Sequence, residues 1–230
     1  MILDRIQASQ YRDQIKLQPA FGAKFEDLTQ QLSNRELIGV HFSGHGTGDG
    51  QIILVGRDGR SEVINRETIR RLFDIVKDNI QVVVLNACFT IPQAEVLSDV
   101  VGCVIGTKCE LHNEDAVEFA GTFYKAIGDG CSVQKAFQLA LMSVSTRDIH
   151  PDNVPRLLHR SDIDPERLIL VEIGDEHSRS NLPKFQETEM SQQLRIDKYI
   201  EFASSFPWER HEESIGRLRG RTFDILRNLE

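Results

Sequence analysis

The chain has 230 residues, 40% of them hydrophobic and 27% charged, which is ordinary for a soluble globular protein with one substantial core. Its net charge of −8 argues against a nucleic-acid-binding surface, which needs a basic patch. The apolar runs are too short to cross a bilayer, and the N-terminus lacks the apolar core of a signal peptide. We therefore expect a cytoplasmic protein that binds neither nucleic acid nor membrane.

The first forty residues predict helix, strand, helix and strand in turn. Residues 2 to 9 indicate a helix, and residues 14 to 20 a strand near the edge of a sheet, because Pro19 removes a ladder donor. A buried strand is expected over residues 37 to 43. The short helix before it is predicted from the spacing of Phe25, Leu28 and Leu32.

A second strand of the same kind follows after a hairpin and a helix. Residues 51 to 55 and 62 to 64 flank a glycine-containing turn and predict the hairpin. Asn65 is placed to cap a helix that returns the chain to the run Val-Val-Val-Leu at residues 82 to 85. The helical stripe consists of Ile69, Leu72, Phe73 and Val76.

The elements after residue 88 continue this alternation of helix and strand. Pro92 begins a helix, residues 102 to 106 form a strand, and a helix ends at Gly128 before Ser132 caps another. Residues 145 to 166 are rich in Pro, Asp, His and Arg and indicate a loop. The pattern as a whole predicts an α/β fold with a mostly parallel central sheet.

The C-terminal quarter has a different composition. Residues 168 to 173 indicate a last strand, and residues 174 to 186 a polar linker. Residues 187 to 230 then predict a helical hairpin that packs on the core or pairs with a second chain. Its two stripes are Ile196, Tyr199, Ile200 and Ala203, and then Ile215, Leu218, Thr222, Ile225 and Leu229.

The two buried strands are each followed by a reactive side chain. His45 comes just after the first strand and Cys88 just after the second, and ligand sites in open α/β sheets lie at the carboxyl ends of strands. A thiol with its usual pKa of about 8.5 needs a base, and a neighbouring imidazole provides one. The N–H groups of Gly46 and Cys88 are candidates for an oxyanion hole.

These motifs together resemble a known family. Residues 41 to 46 read His-Phe-Ser-Gly-His-Gly, and residues 85 to 88 read Leu-Asn-Ala-Cys. This ordered set resembles the CHAT family of caspase-like cysteine peptidases, relatives of caspases, separases and gingipains. The resemblance covers about residues 1 to 160 and continues through residues 104 to 107, 119 to 124 and 130 to 137. It implies that His45 is the catalytic histidine and Cys88 the nucleophile.

The resemblance also implies an architecture. We expect a caspase-like αβα sandwich over residues 1 to 175, with the helical tail appended. The family's domain usually opens with a further strand, central in the sheet, that precedes the helix at residues 2 to 9. This chain begins too late to include that strand, so either the copy is shortened or another segment or chain fills the gap.

The remaining candidates each have two interpretations. His41 is expected to be structural. Asp115 either helps to read the substrate residue before the scissile bond, as the resemblance implies, or caps the helix that follows it. Cys109 and His112 have a spacing that suits zinc, but a second pair is missing, so we expect no metal and no cofactor. Cys103, Cys109 and Cys131 are expected to be inert.

Two functions follow from these residues. The first is a cysteine endopeptidase that uses the Cys88/His45 dyad on a protein or peptide substrate. The second is a caspase-like binding or scaffold module that no longer cleaves. In either case the C-terminal helices suggest a regulatory protein partner, a larger assembly or a homo-oligomer.

Overall fold

A computed structural model describes residues 2–33, 37–108, 113–145, 154–173 and 199–203. In these ranges a six-stranded sheet forms the centre of the molecule, and a two-stranded hairpin lies beside it. The helices are α1 Ile2–Gln7, α2 Phe25–Leu32, α3 Arg66–Val76, α4 Ile91–Ser98, α5 Asn113–Gly128 and α6 Val133–Ser145. The strands are β1 Leu17–Phe21, β2 Gly39–Ser43, β3 Ile52–Val55, β4 Ser61–Ile64, β5 Val82–Asn86, β6 Cys103–Gly106, β7 Arg156–His159 and β8 Tyr199–Ala203.

The central sheet has the order β1-β8-β2-β5-β6-β7 and is parallel except for β7. Alternate residues of β5 face opposite sides of the sheet, as the two-residue period of a strand requires. Val83 packs with α2, α3 and α4 on one face, whereas Val82 and Val84 pack with α1, α5 and α6 on the other. The protein is therefore a mixed α/β fold with helices on both faces of a mostly parallel sheet.

Several sequence predictions are confirmed. The first predicted strand, β1, lies at an edge of the sheet, and β3 and β4 form the antiparallel hairpin. Asn65 caps α3, with its Oδ1 accepting a hydrogen bond from the N–H of Thr68 at 2.9 Å. Within the described ranges, no helix has the length and apolar character needed to cross a bilayer.

Two predictions near the C-terminal end of the core are wrong. The expected loop at 145 to 166 contains β7, which pairs antiparallel with β6 and needs only a short segment because it lies at the edge of the sheet. The expected strand at 168 to 173 is absent there, and Ile169 makes a single isolated bridge to Ser132. Leu170 and Val171 are buried in the core, so their apolar character serves packing without a sheet ladder.

The helix predicted from the spacing of Ile196, Tyr199, Ile200 and Ala203 is contradicted over residues 199 to 203. Residues Tyr199–Ala203 form β8, which lies between β1 and β2 and pairs in parallel with both. Tyr, Ile and Phe favour strands, so this segment suits either periodicity, and the open position between two strands decides the outcome. The strand between β1 and β2 thus comes from the C-terminal part of the chain. Residues 204 to 230 lie outside the described residues, and the helical hairpin stays a prediction there.

Candidate active site

The register of two neighbouring strands brings His45 and Cys88 to the same edge of the sheet. The last pair of the β2–β5 ladder is Ser43 with Asn86, and each candidate residue follows its strand by two positions. The N–H of Gly44 extends this contact by donating to the carbonyl of Asn86 at 3.4 Å. Both side chains therefore belong to the carboxyl edge of the sheet, where α/β proteins form their sites.

Gly46 lies directly against Cys88. A Cβ atom added to Gly46 would be 2.2 Å from the carbonyl oxygen of Cys88, a distance at which atoms overlap. No residue with a side chain fits here without moving the backbone that carries the thiol. The glycine is required for this close approach.

The N–H of Gly46 is turned away from the hairpin. The N–H of Thr47 donates to the backbone carbonyl of Gln51 at 2.9 Å, and the N–H of Ile53 donates to the carbonyl of His45 at 3.1 Å. These two bonds flank the bridge between Gly46 and Ile52, so the two bridged residues form a pair that exchanges no hydrogen bonds. The backbone groups of Gly46 therefore point away from β3.

A side-chain network closes the loop after His45. Thr47 donates from its hydroxyl to Asp49 at 2.5 Å, Gln51 donates from Nε2 to Asp49 at 2.6 Å, and the Gln51 N–H donates to the Thr47 hydroxyl at 2.9 Å. The hydrogen bond from Thr47, followed by that from Gln51, lowers the pKa of Asp49. The loop is thus fixed by contacts among its own residues.

The electrostatic environment of His45 favours a base. Its side chain is half-buried, and desolvation lowers its pKa below the ordinary value of 6.5. An imidazole with a lowered pKa is neutral near pH 7 and has a ring nitrogen able to accept a proton. That is the protonation state required to activate a thiol.

Cys88 lies in a sharp turn between β5 and α4. Phe89 has a φ of 58°, which places a residue with a bulky side chain in the left-handed region. The carbonyl of Phe89 faces Gly50, where a Cβ atom would come within 2.4 Å of it. Such conformations cost about 1–3 kcal/mol and are concentrated at functional sites. The turn leaves Cys88 half-buried at the edge of the sheet.

His41 lies in the buried part of β2. It is fully buried, its Nδ1 is 3.1 Å from the hydroxyl of Tyr124, and its Nε2 has no hydrogen-bond partner. Desolvation lowers its pKa to about 3. The residue lies four positions before His45 and within the core, which agrees with a structural role.

Asp115 is almost fully buried, with 3% of its surface exposed. It belongs to the first turn of α5, where a carboxylate interacts favourably with the helix dipole. The next residue, Ala116, accepts a hydrogen bond from the Asn86 side chain at 3.2 Å, which connects this turn to the strand that carries Cys88. Both interpretations of Asp115 stay open.

The other cysteines differ in environment from Cys88. Cys103 is buried in β6, and burial raises its pKa to about 12, whereas Cys131 is half-buried next to the opposite end of α5. Cys109 and His112 lie outside the described residues. Within the described ranges, no three His, Cys, Asp or Glu residues are grouped in a way that would hold a metal ion.

Sequence reasoning missed two buried threonines beneath Cys88. Thr90 and Thr107 are 0% and 3% exposed, and the hydroxyl groups of both contact the carbonyl of Ala87, which lies between the end of β5 and Cys88. Each follows a strand closely in the sequence, but a threonine in such a position has no distinctive pattern. Only the three-dimensional arrangement identifies them.

The fold and the site together define an α/β protein with a cysteine and a histidine at the carboxyl edge of a parallel sheet. No protein-family model and no curated protein sequence matches this chain. The function is therefore inferred from the residues of the site and their chemistry.

Proposed function

We propose that this chain is a caspase-like cysteine endopeptidase of the CHAT type, with Cys88 as nucleophile and His45 as general base. The observation that carries the proposal is the contact of Gly46 with the Cys88 carbonyl, which sets the residue after the histidine against the cysteine. The lowered pKa of His45 and the sharp turn at Phe89 support the same assignment.

The proposed reaction proceeds through an acyl-enzyme. The Cys88 sulfur attacks the carbonyl carbon of the scissile peptide bond while His45 accepts the thiol proton. The N–H groups of Gly46 and Cys88 stabilise the oxyanion of the tetrahedral intermediate. His45 then donates the proton to the departing amine, and a water molecule, deprotonated by the same imidazole, hydrolyses the thioester and restores the thiol.

Substrate selection is assigned to the region that contains Asp115. A carboxylate next to the strand of Cys88 would favour a basic side chain in the residue before the scissile bond. Its burial implies that a substrate side chain would have to reach into the protein to contact it. This assignment is a proposal of its own and does not affect the dyad.

The test is a cleavage profile against a peptide library, combined with labelling by a thiol-directed activity probe. Wild type is compared with Cys88→Ala and His45→Ala, and with Cys131→Ala as a control that removes another half-buried thiol. We expect cleavage and labelling to be lost in Cys88→Ala and cleavage to be lost in His45→Ala, with Cys131→Ala unchanged. Labelling that survives Cys88→Ala would contradict the proposal. A folded wild type that cuts no peptide would favour a binding or scaffold module.

A further inference from the structure

Two buried threonines hold the peptide bond that precedes Cys88. The hydroxyl of Thr107 donates to the carbonyl of Ala87, and the hydroxyl of Thr90 is 3.1 Å from the same oxygen. The Thr90 hydroxyl is also 3.1 Å from the Leu85 carbonyl, and it accepts the N–H of Thr107 at 3.0 Å. Both threonines therefore direct their hydroxyl groups at the strand end from inside the protein.

The backbone completes this arrangement around the turn. The N–H of Ile91, the first residue of α4, donates to the carbonyl of Thr107 at 3.0 Å. Through its backbone and its side chain, Thr107 thus contacts both sides of the turn that contains Cys88. The end of β6 and the start of α4 are fixed with respect to Ala87.

Fixing the Ala87 carbonyl also fixes the direction of the Cys88 N–H. A trans peptide is planar, and its C=O and N–H point in opposite directions. The described residues contain no cis peptide bond. Because the Ala87 oxygen points inward to the two threonines, the Cys88 N–H points outward, away from them.

We propose that Thr90 and Thr107 are positioning residues that aim the Cys88 N–H at the oxyanion. The inference rests on the proposed peptidase function, since it concerns a group that this reaction uses. Without the two hydroxyls, the peptide between Ala87 and Cys88 can rotate. The Cys88 N–H then no longer points at the oxyanion, although the thiol stays in place. The oxyanion is then less stabilised, whereas the rate of direct alkylation of the sulfur does not change.

The experiment compares two reactions of the same thiol. Iodoacetamide alkylates the sulfur and releases iodide, and this reaction forms no tetrahedral carbon that carries an oxyanion. The aldehyde N-acetylglycinal instead adds reversibly to the thiol, and the oxygen of the resulting hemithioacetal occupies the oxyanion position. The affinity for the aldehyde is measured as protection of Cys88 from alkylation, so the assay requires neither turnover nor a known substrate side chain.

The variants are Thr107→Val, which removes the hydroxyl at nearly constant size, Thr107→Ser, which retains it, and Thr90→Val. Thr122→Val is the control, because the Thr122 hydroxyl bonds to Glu118 within α5. We expect Thr107→Val to weaken aldehyde binding at least about tenfold, since losing an oxyanion donor costs about 10²–10³ in rate. Thr90→Val should act in the same direction but less strongly. Alkylation without aldehyde should stay within about twofold of wild type, and Thr107→Ser and Thr122→Val should behave as wild type.

Other results overturn the inference. If a folded Thr107→Val variant binds the aldehyde as wild type does, or loses alkylation and aldehyde binding equally, the threonines do not position the donor. If Thr107→Val does not fold, Thr107→Ala and Thr90→Val decide by the same comparison. A wild-type Cys88 that is alkylated but not protected by the aldehyde overturns the inference, and one that reacts with neither reagent overturns the proposed function as well.

Discussion

The buried imidazole of His41 predicts a specific dependence of stability on pH. The side chain is fully buried, and desolvation lowers its pKa from the ordinary value of 6.5 to about 3. In the unfolded chain the same group binds a proton below pH 6.5, whereas in the folded protein it stays neutral until about pH 3. Its contribution to stability is therefore complete above pH 6.5 and is lost as the pH falls toward 3.

The size of the effect follows from these two values. Each pH unit inside the window costs about 1.4 kcal/mol of unfolding free energy. Between pH 7 and pH 5, where only the unfolded state gains a proton, this amounts to about 2 kcal/mol. Such a loss is a large part of the 5–15 kcal/mol that is typical of native proteins.

The variant His41→Leu removes this titrating group at similar size. From pH 7 to pH 5, the unfolding free energy of both proteins should decrease. We expect the decrease in the variant to be about 2 kcal/mol smaller than the decrease in wild type. The measurement is urea-induced unfolding at pH 5, 6 and 7. At pH 7 the variant should be the less stable one by about 1–3 kcal/mol, because the Tyr124 hydroxyl loses its contact with His41.

The matched control is Tyr124→Phe. It breaks the same contact but leaves His41 buried, so the steep pH dependence of wild type should persist. Carboxylates that titrate in the acid range contribute equally to all three proteins and cancel in the comparison. Equal pH dependence in wild type and His41→Leu would refute the reasoning, because it would mean that His41 is protonated equally in the folded and unfolded states.

Three further predictions concern the site and the sheet. Gly46→Ala should abolish turnover, because its Cβ would overlap the carbonyl of Cys88. Gly48→Ala should be tolerated, since nothing lies within 4 Å of a Cβ at that position. The measurement is kcat/KM of both variants. If Asp115 reads the substrate, Asp115→Asn should change the cleavage profile and leave alkylation of Cys88 by iodoacetamide unchanged, and an unchanged profile would assign Asp115 to helix stabilisation alone. Deleting residues 199 to 230 should lower the unfolding free energy by at least about 3 kcal/mol, because backbone hydrogen bonds at about 1 kcal/mol each are lost on both sides of β8. A truncated protein with wild-type stability would show that β8 does not hold the sheet together.

Sequence patterns predict the parts of this fold whose signals are local. The stripe and cap of α3 and the apolar runs of β2 and β5 depend on neighbouring residues, and the structure confirms them. The placement of His45 and Cys88 at one edge of the sheet follows from the rule that parallel strands have their carboxyl ends on one side. These predictions required no knowledge of distant contacts.

The features that the sequence did not reveal depend on distant partners. The segment Tyr199–Ala203 has a spacing that suits a helix, and it becomes a strand where it lies between β1 and β2. The hydroxyl of Thr107 contacts the carbonyl of Ala87, twenty residues earlier in the chain. A one-dimensional pattern records neither the open position in the sheet nor the direction of a carbonyl group.

The place of β8 in the sheet sets an order of events during synthesis. Among the described strands, β1 pairs with β8 alone, and Leu17 is matched with Tyr199 far along the chain. His45 and Cys88 leave the ribosome long before residues 199 to 203 exist, so the sheet beneath the two reactive residues is incomplete while they are already present. Pairing across such a separation is slow, because the entropic cost of closing the long loop comes before the favourable contacts form. A nascent chain of this protein would therefore carry His45 and Cys88 before the sheet is complete, and the proposed site would be assembled only after synthesis has passed β8.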